Sequence, residues 1–222
     1  MISELSTARQ LKSYLRTYDY PCVVWYPAAN RDVRFPSMRQ VEKIIRDQLR
    51  SGQPASVRDG LANVVFWGFR SQGIYRARLR NFLCRVSQAA LVNAARMLPQ
   101  VQGPALRQLK DLGLPQFSCV PFLSKLRMFL DPTEWVVLDN RLARIGSLSA
   151  HSILRGVSRY GTTIPCTRAN EQVYAAWCSL CRVWGDRIGA PAVDVERAVF
   201  QAAAVNAQSA ATLLADMERF AC

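Results

Sequence analysis

Histidine is almost missing from this chain: His151 is the only one among 222 residues. A Ser-His-Asp hydrolase or a histidine-rich metal centre is thereby nearly excluded, because each needs imidazole as base or ligand. Acidic residues are scarce as well. The 16 Asp and Glu face 29 Lys and Arg, which leaves a net charge of +13. At this size such an excess points to a polyanionic partner, since each phosphate neutralised releases condensed counterions. An anionic membrane surface attracts similar charge, but no uninterrupted apolar stretch approaches the roughly 18 residues a membrane span requires. Residues 1–11 are polar and mixed in charge, so no export signal is expected. Repeats, low-complexity tracts and flexible linkers are also lacking, and with 50% apolar residues a substantial core is expected.

The cysteines number 7, at positions 22, 84, 119, 166, 178, 181 and 222. An odd count at scattered spacing fits a reducing cytoplasm better than a disulfide framework. Cys178 and Cys181 raise the question of a metal or iron–sulfur site, which needs four thiolates at close, regular spacing. Cys166 and Cys222 lie too far away in sequence to complete one. Both members of the pair fall on the apolar face of an apparent helix, where cysteine behaves as a small hydrophobe. No metal and no cofactor is expected.

Strand signals are few. Residues 21–26 read as one short strand, and no sheet is evident. Most of the remainder reads as helix: 4–16, 37–49 with Ser37 as cap, 57–69, 75–86, 88–97 capped by Ser87, and a short one opened by Pro104 and ending near Gly113. Helices over 122–130, with Pro121 in the first turn, and 139–144 follow, then 150–159, 170–184, 192–204 and 209–220. The expected fold is all-α, a single helical domain over residues 1–222 whose helices can divide into two lobes flanking a cleft. A monomer is expected.

The stretch Leu112–Ile145, LGLPQFSCVPFLSKLRMFLDPTEWVVLDNRLARI, is the most informative. It reads as a helix, a tight turn, a second helix carrying Lys125, a short extended crossing, and Asp139 at a helix start. A carboxylate at an N-cap is held by backbone N–H groups and favoured there by the helix dipole. An amine meeting it across a cleft would make a nucleophile with an electrostatic partner, and the Asp131-Pro132 turn between them makes such an approach plausible. Taken alone, Lys125 is equally an ordinary solvated lysine, and Asp139 equally a plain cap.

The run PFLSKLRMFLDPTEWVVLDNRLARI resembles the core of the helix-hairpin-helix DNA glycosylases, in particular the bacterial 8-oxoguanine DNA glycosylase-like family. Residues 66–80, FWGFRSQGIYRARLR, and 194–200, DVERAVF, agree with that resemblance, with the catalytic helix-hairpin-helix segment at about 104–146. The resemblance implies a DNA glycosylase that flips a damaged or modified base out of duplex DNA and cleaves its N-glycosidic bond. Lys125 would attack C1′ as a neutral amine and leave a Schiff base, and Asp139 would stabilise the developing oxocarbenium charge. The Schiff base would permit β-elimination, making the enzyme glycosylase and lyase. The substrate implied is 8-oxoguanine or another modified base, including one carried by phage DNA.

Two departures from the family pattern stand out. The hairpin of most such enzymes reads roughly Leu-Pro-Gly-Val-Gly, whereas here Leu114-Pro115-Gln116-Phe117-Ser118 has no glycine. In many relatives the lysine lies about one helical turn nearer the hairpin, and Lys125 is the only lysine in the segment. These departures motivate an alternative, a non-catalytic helical DNA-binding protein that keeps the fold. A basic RNA- or partner-binding helical domain is a third reading. DNA-contact candidates are Arg70, Arg76, Arg78, Arg80, Ser118 and Arg141, although arginines at helical spacing equally make a solvated face. Base-pocket candidates are Trp67, Phe69 and Asp194, of which Asp194 also reads as a helix cap.

Overall fold

The computed structural model describes residues 3–100, 103–149 and 151–221; Ala150 and Cys222, both included in the expectations above, lie outside them. The chain is mostly helical, as expected, and divides into two compact units. One comprises Met1–Asp19 and Pro132–Cys222, the other Tyr20–Asp131.

The Tyr20–Asp131 unit begins with a hairpin, β1 (Val23–Tyr26) and β2 (Arg31–Arg34), and continues through α2 (Met38–Leu49), α3 (Pro54–Phe69), α4 (Tyr75–Arg85), α5 (Gln88–Met97), α6 (Leu106–Asp111) and α7 (Val120–Leu130). Its centre is α3, where every residue from Gly60 to Gly68 is buried. A helix apolar all round can only be a core helix, and α2, α4, α5 and α7 all pack on it. One polar group is admitted, with its bonds satisfied. Asn63 Oδ1 accepts from the Trp25 N–H at 2.7 Å, and its Nδ2 donates to Gln48 Oε1 at 3.1 Å, tying β1 and α2 to α3.

The hairpin corrects the expectation of no sheet: Val23 pairs with Arg34 and Tyr26 with Arg31, antiparallel. The partner strand, Arg31-Asp32-Val33-Arg34, is charged and largely exposed, so it carries no apolar alternation to read. Asn30 turns the chain with φ +45°, a conformation asparagine tolerates better than most residues. The start of α6 also shifts. Pro104 stands outside the helix, whose N-cap is Ala105.

The other unit consists of α1 (Glu4–Arg16), α8 (Asn140–Gly146), α9 (Arg168–Ile188), α10 (Ala192–Val205) and α11 (Ala207–Phe220). Tyr174, Trp177 and Trp184 on α9 are each at most 1% exposed, and Cys178 and Cys181 are fully buried free thiols among them. Burial, then the neighbouring Cys178 and the charge of Glu196, push the Cys181 thiol well above its ordinary range, as befits a core residue. The helix expected over 150–159 is absent among the described residues. In its place stand a 3-10 turn, Ile153–Gly156, and a bridge between Tyr160 and Thr163. Side chains from elsewhere capture this backbone: Glu218 accepts from Ile153 N at 2.9 Å, and Asn170 accepts from Ser158 N while donating to Ser158 O. These bonds compete with a helical ladder for the backbone at both ends of the segment, and the backbone bonds that remain there are of the tighter 3-10 kind, such as Val157 N to Leu154 O.

Candidate active site

The hairpin preceding α7 keeps its turn without glycine. Phe117 N donates to Leu114 O at 3.1 Å, closing Leu114-Pro115-Gln116-Phe117 as a turn with Pro in its first central position. Gln116, at the place of the family's first glycine, adopts φ +73°. A left-handed backbone at a non-glycine residue costs roughly 1–2 kcal/mol. A side-chain bond from Gln116 Nε2 to Asn81 Oδ1 at 2.9 Å offsets part of that cost. Phe117 anchors the turn in the core beside Phe82 and Phe122, while Ser118 is exposed.

Cys119 caps α7 and Pro121 fills its first turn, so Lys125 lies one turn inside the helix. Lys125 is only 7% exposed. Its Nζ donates to the Pro121 carbonyl at 3.2 Å and stands 5.3 Å from the centre of the Phe122 ring. No carboxylate of its unit pairs with it among the described residues. An amine in such a place is held by a carbonyl and a π-face alone, an uncommon position for lysine outside a functional site. Phe69 stacks on Phe122 at 4.5 Å, with the Arg78 guanidinium 5.2 Å above Phe69. Burial raises the Cys119 thiol, opposed in part by the Phe122 N–H and the Lys125 charge.

Asp139 caps α8 as expected: Oδ1 accepts from Arg141 N at 2.9 Å and Leu142 N at 3.2 Å. Its Oδ2 takes no part in this bonding. The approach to the cap is an extended, buried run, Val136-Val137-Leu138. Two α9 side chains grip that run, with Tyr174 OH donating to Val136 O and Trp177 Nε1–H to Val137 O, each at 3.0 Å. Sequence reading missed both, because nothing in an amphipathic helix marks which rings reach a neighbouring carbonyl.

Two residues after Asp139, in the first turn of α8, the exposed Arg141 guanidinium lies 4.4 Å over Phe200, whose ring meets Tyr18 edge-on at 6.4 Å. Asp194 is a correction. Pro191 is the N-cap of α10, and Asp194 Oδ1 instead accepts from Arg197 Nη1 at 3.1 Å, the arginine being buried beneath Tyr18. Arg70 is engaged by Asp32 at 3.2 Å and by the Tyr75 ring, whereas Arg76, Arg78 and Arg80 are exposed along α4. Trp67 is a core ring packed between Tyr20 and Phe129. Among the described residues no group of His, Cys, Asp and Glu has the arrangement of a metal site. No described helix is long and apolar enough to cross a membrane.

Residues 22–200 match the family described as "Putative 8-oxoguanine DNA glycosylase OGG-like protein". The chain belongs to that family. Membership makes this OGG-like protein a member of the DNA glycosylase class, whose partner is DNA, in keeping with its positive charge. Neither a curated relative nor a solved structure matches it.

Proposed function

We propose that this OGG-like protein excises a damaged or modified base from duplex DNA with Lys125 as nucleophile and Asp139 as the electrostatic partner. The observation that carries this reading is the buried Lys125 amine, whose one hydrogen-bond partner among the described residues is the Pro121 carbonyl. A cation spent there on structure would be costly, since a buried charge without a counter-ion destabilises the fold.

In the proposed chemistry the amine adds to C1′ of the sugar and the bond from C1′ to the base nitrogen breaks. The departing base takes the electron pair and a proton. The amine loses its protons as the sugar ring opens, leaving a C1′ imine with lysine, from which β-elimination releases the 3′ phosphate. The Asp139 carboxylate, with Oδ2 outside its cap bonding, supplies negative charge as the sugar becomes cationic. Phe69 is proposed to meet the extruded base; in the other unit Arg141, over Phe200, is proposed to contact the DNA, and Asp194, which holds Arg197 beneath Tyr18, to serve base recognition. Ser118 and the α4 arginines are proposed to meet phosphate. The substrate proposed is 8-oxoguanine, as the family's description suggests, or another modified base such as those of phage DNA, and the enzyme is proposed to act as a cytoplasmic monomer.

Borohydride trapping on duplexes carrying different modified bases tests this. An adduct formed by the wild type and lost in Lys125→Ala supports a Schiff-base glycosylase and names its base. Base release without an adduct demotes Lys125 in favour of water activated by Asp139. Tight binding with neither release nor adduct across a broad panel of bases favours a non-catalytic DNA-binding protein.

A further inference from the structure

A second feature of the Tyr20–Asp131 unit stands apart from Lys125. Between the hairpin and α4 lies a cavity of about 530 Å³, within the size range of small-molecule sites. No residue of α7 lines it. Three of its properties bear on what it takes.

The first is a vacant aromatic face. Trp25 lines the cavity half-buried, and its ring carries no aromatic or cationic neighbour among the described residues. Its position is fixed rigidly, since its backbone N–H is bonded to Asn63 and its strand is paired. Tyr75, on the same wall, is already covered by the Arg70 and Arg76 guanidiniums, so Trp25 is the ring left to stack.

The second is charge. Arg76 and Arg80 both line the cavity, are exposed, and make no ion pair among the described residues. They stand four apart on α4, where like charges repel. The one lining carboxylate, Asp32, is already paired with Arg70 at 3.2 Å. The cavity therefore presents two uncompensated cations to an anionic ligand. The third is a polar edge: Asn30, held at φ +45° in the hairpin turn, offers a donor and an acceptor at the rim.

A stacking ring, two phosphate-seeking arginines and an amide edge together match a nucleotide better than a poly-acidic peptide, which has no ring to lay on the indole face. We propose that this pocket holds one unstacked nucleotide of bound DNA, its base on Trp25 and its phosphate between Arg76 and Arg80. The proposal rests on the glycosylase reading only in taking DNA as the source of the nucleotide. It is a contact separate from the excised base, so it grips strand rather than performing chemistry.

Cys84 provides the test, because it is an exposed thiol lining the same cavity. Maleimide alkylation of the full chain is followed by peptide mapping, with and without a short thymidine homo-oligonucleotide. Bound oligonucleotide is expected to slow alkylation of Cys84 several-fold and leave Cys22 unchanged. Arg76→Ser with Arg80→Ser is expected to remove that protection and to flatten the salt dependence of binding by about 0.7 in logarithmic slope for one lost phosphate contact. Trp25→Leu is expected to weaken binding about tenfold, and Trp25→Phe, which keeps a ring, to weaken it less. The proposal fails if the oligonucleotide does not bind, if it binds while Cys84 alkylates at its free rate, or if a poly-glutamate peptide protects Cys84 equally well. Borohydride trapping on an abasic duplex reads the catalytic proposal separately. Trapping with Cys84 unprotected overturns the pocket alone, and protection without trapping overturns the catalytic reading alone.

Discussion

Gly68 and Phe122 meet so closely that no side chain fits between them. A Cβ at Gly68 would stand 2.7 Å from Phe122 Cε1 and 3.2 Å from Lys125 Cδ. The glycine in the Phe66-Trp67-Gly68-Phe69 run is thus the space into which α7 presses the ring and the stem of the proposed nucleophile. Gly68→Ala should push Phe122 aside and move Lys125 with it. Overpacking of this kind costs about 1–3 kcal/mol. Urea denaturation should record that loss, and adduct trapping should fall more steeply than DNA affinity does.

Lys125→Met separates the amine from its packing. The thioether chain fills similar space, so as a nearly volume-conserving swap it should change stability by less than about 1.5 kcal/mol. Adduct formation should vanish. A large drop in melting temperature would instead mean that the bond to Pro121 O is a structural necessity.

Asp139 has two roles that different replacements pull apart. Asparagine caps a helix about as well as aspartate, so Asp139→Asn should change stability by less than about 0.5 kcal/mol. Base release should nevertheless drop about a thousandfold when the charge goes. Asp139→Ala should lose the cap as well, at about 1 kcal/mol. Equal activity in wild type and Asp139→Asn would leave Asp139 as a cap only.

Tyr174 and Trp177 act on Asp139 through the backbone that leads to it. Tyr174→Phe leaves the buried Val136 carbonyl without its partner, at about 1–3 kcal/mol. If the run Val136–Leu138 positions the carboxylate, turnover should fall while substrate affinity holds. A stability loss with unaltered turnover would confine Tyr174 to the core.

The strain at Gln116 can be measured by a double-mutant cycle. With the side-chain bond already removed by Asn81→Ala, Gln116→Gly should stabilise the protein by about 1 kcal/mol, the relief of a left-handed non-glycine backbone. In the wild-type background the gain should be smaller, because the substitution also discards that bond.

Glu218 supplies a pH dependence. Its carboxyl is raised by burial, against the bonds it accepts from Ile153 N and Ser152 Oγ. A carboxyl raised in the folded state binds its proton more tightly there than when unfolded, so stability falls as pH rises through that window. Melting curves of wild type and Glu218→Gln should therefore diverge in favour of the glutamine form as pH rises above the ordinary glutamate range. Parallel curves would mean that burial is fully offset by the accepted bonds.

The sequence by itself determined the helical class, most helix limits and the cap at Asp139, because these follow from local pattern. Apolar spacing, Pro121 in a first turn, and Ser87 and Asp139 before helices act within a few residues of where they stand. The family was legible too, since the segment around Lys125 and Asp139 keeps its order even where the glycines are replaced. Tertiary structure decided the rest. The Arg31–Arg34 strand exists because Val23–Tyr26 is there to pair with it, and residues 153–163 avoid a helix because Glu218 and Asn170 take their backbone groups. Burial of Lys125 depends on Gly68 and Phe122, far apart in sequence, and the grip on Val136 and Val137 depends on two rings of α9. No periodicity can reveal such contacts, because hydrogen bonds and packing between distant segments leave no mark on the local pattern of either one.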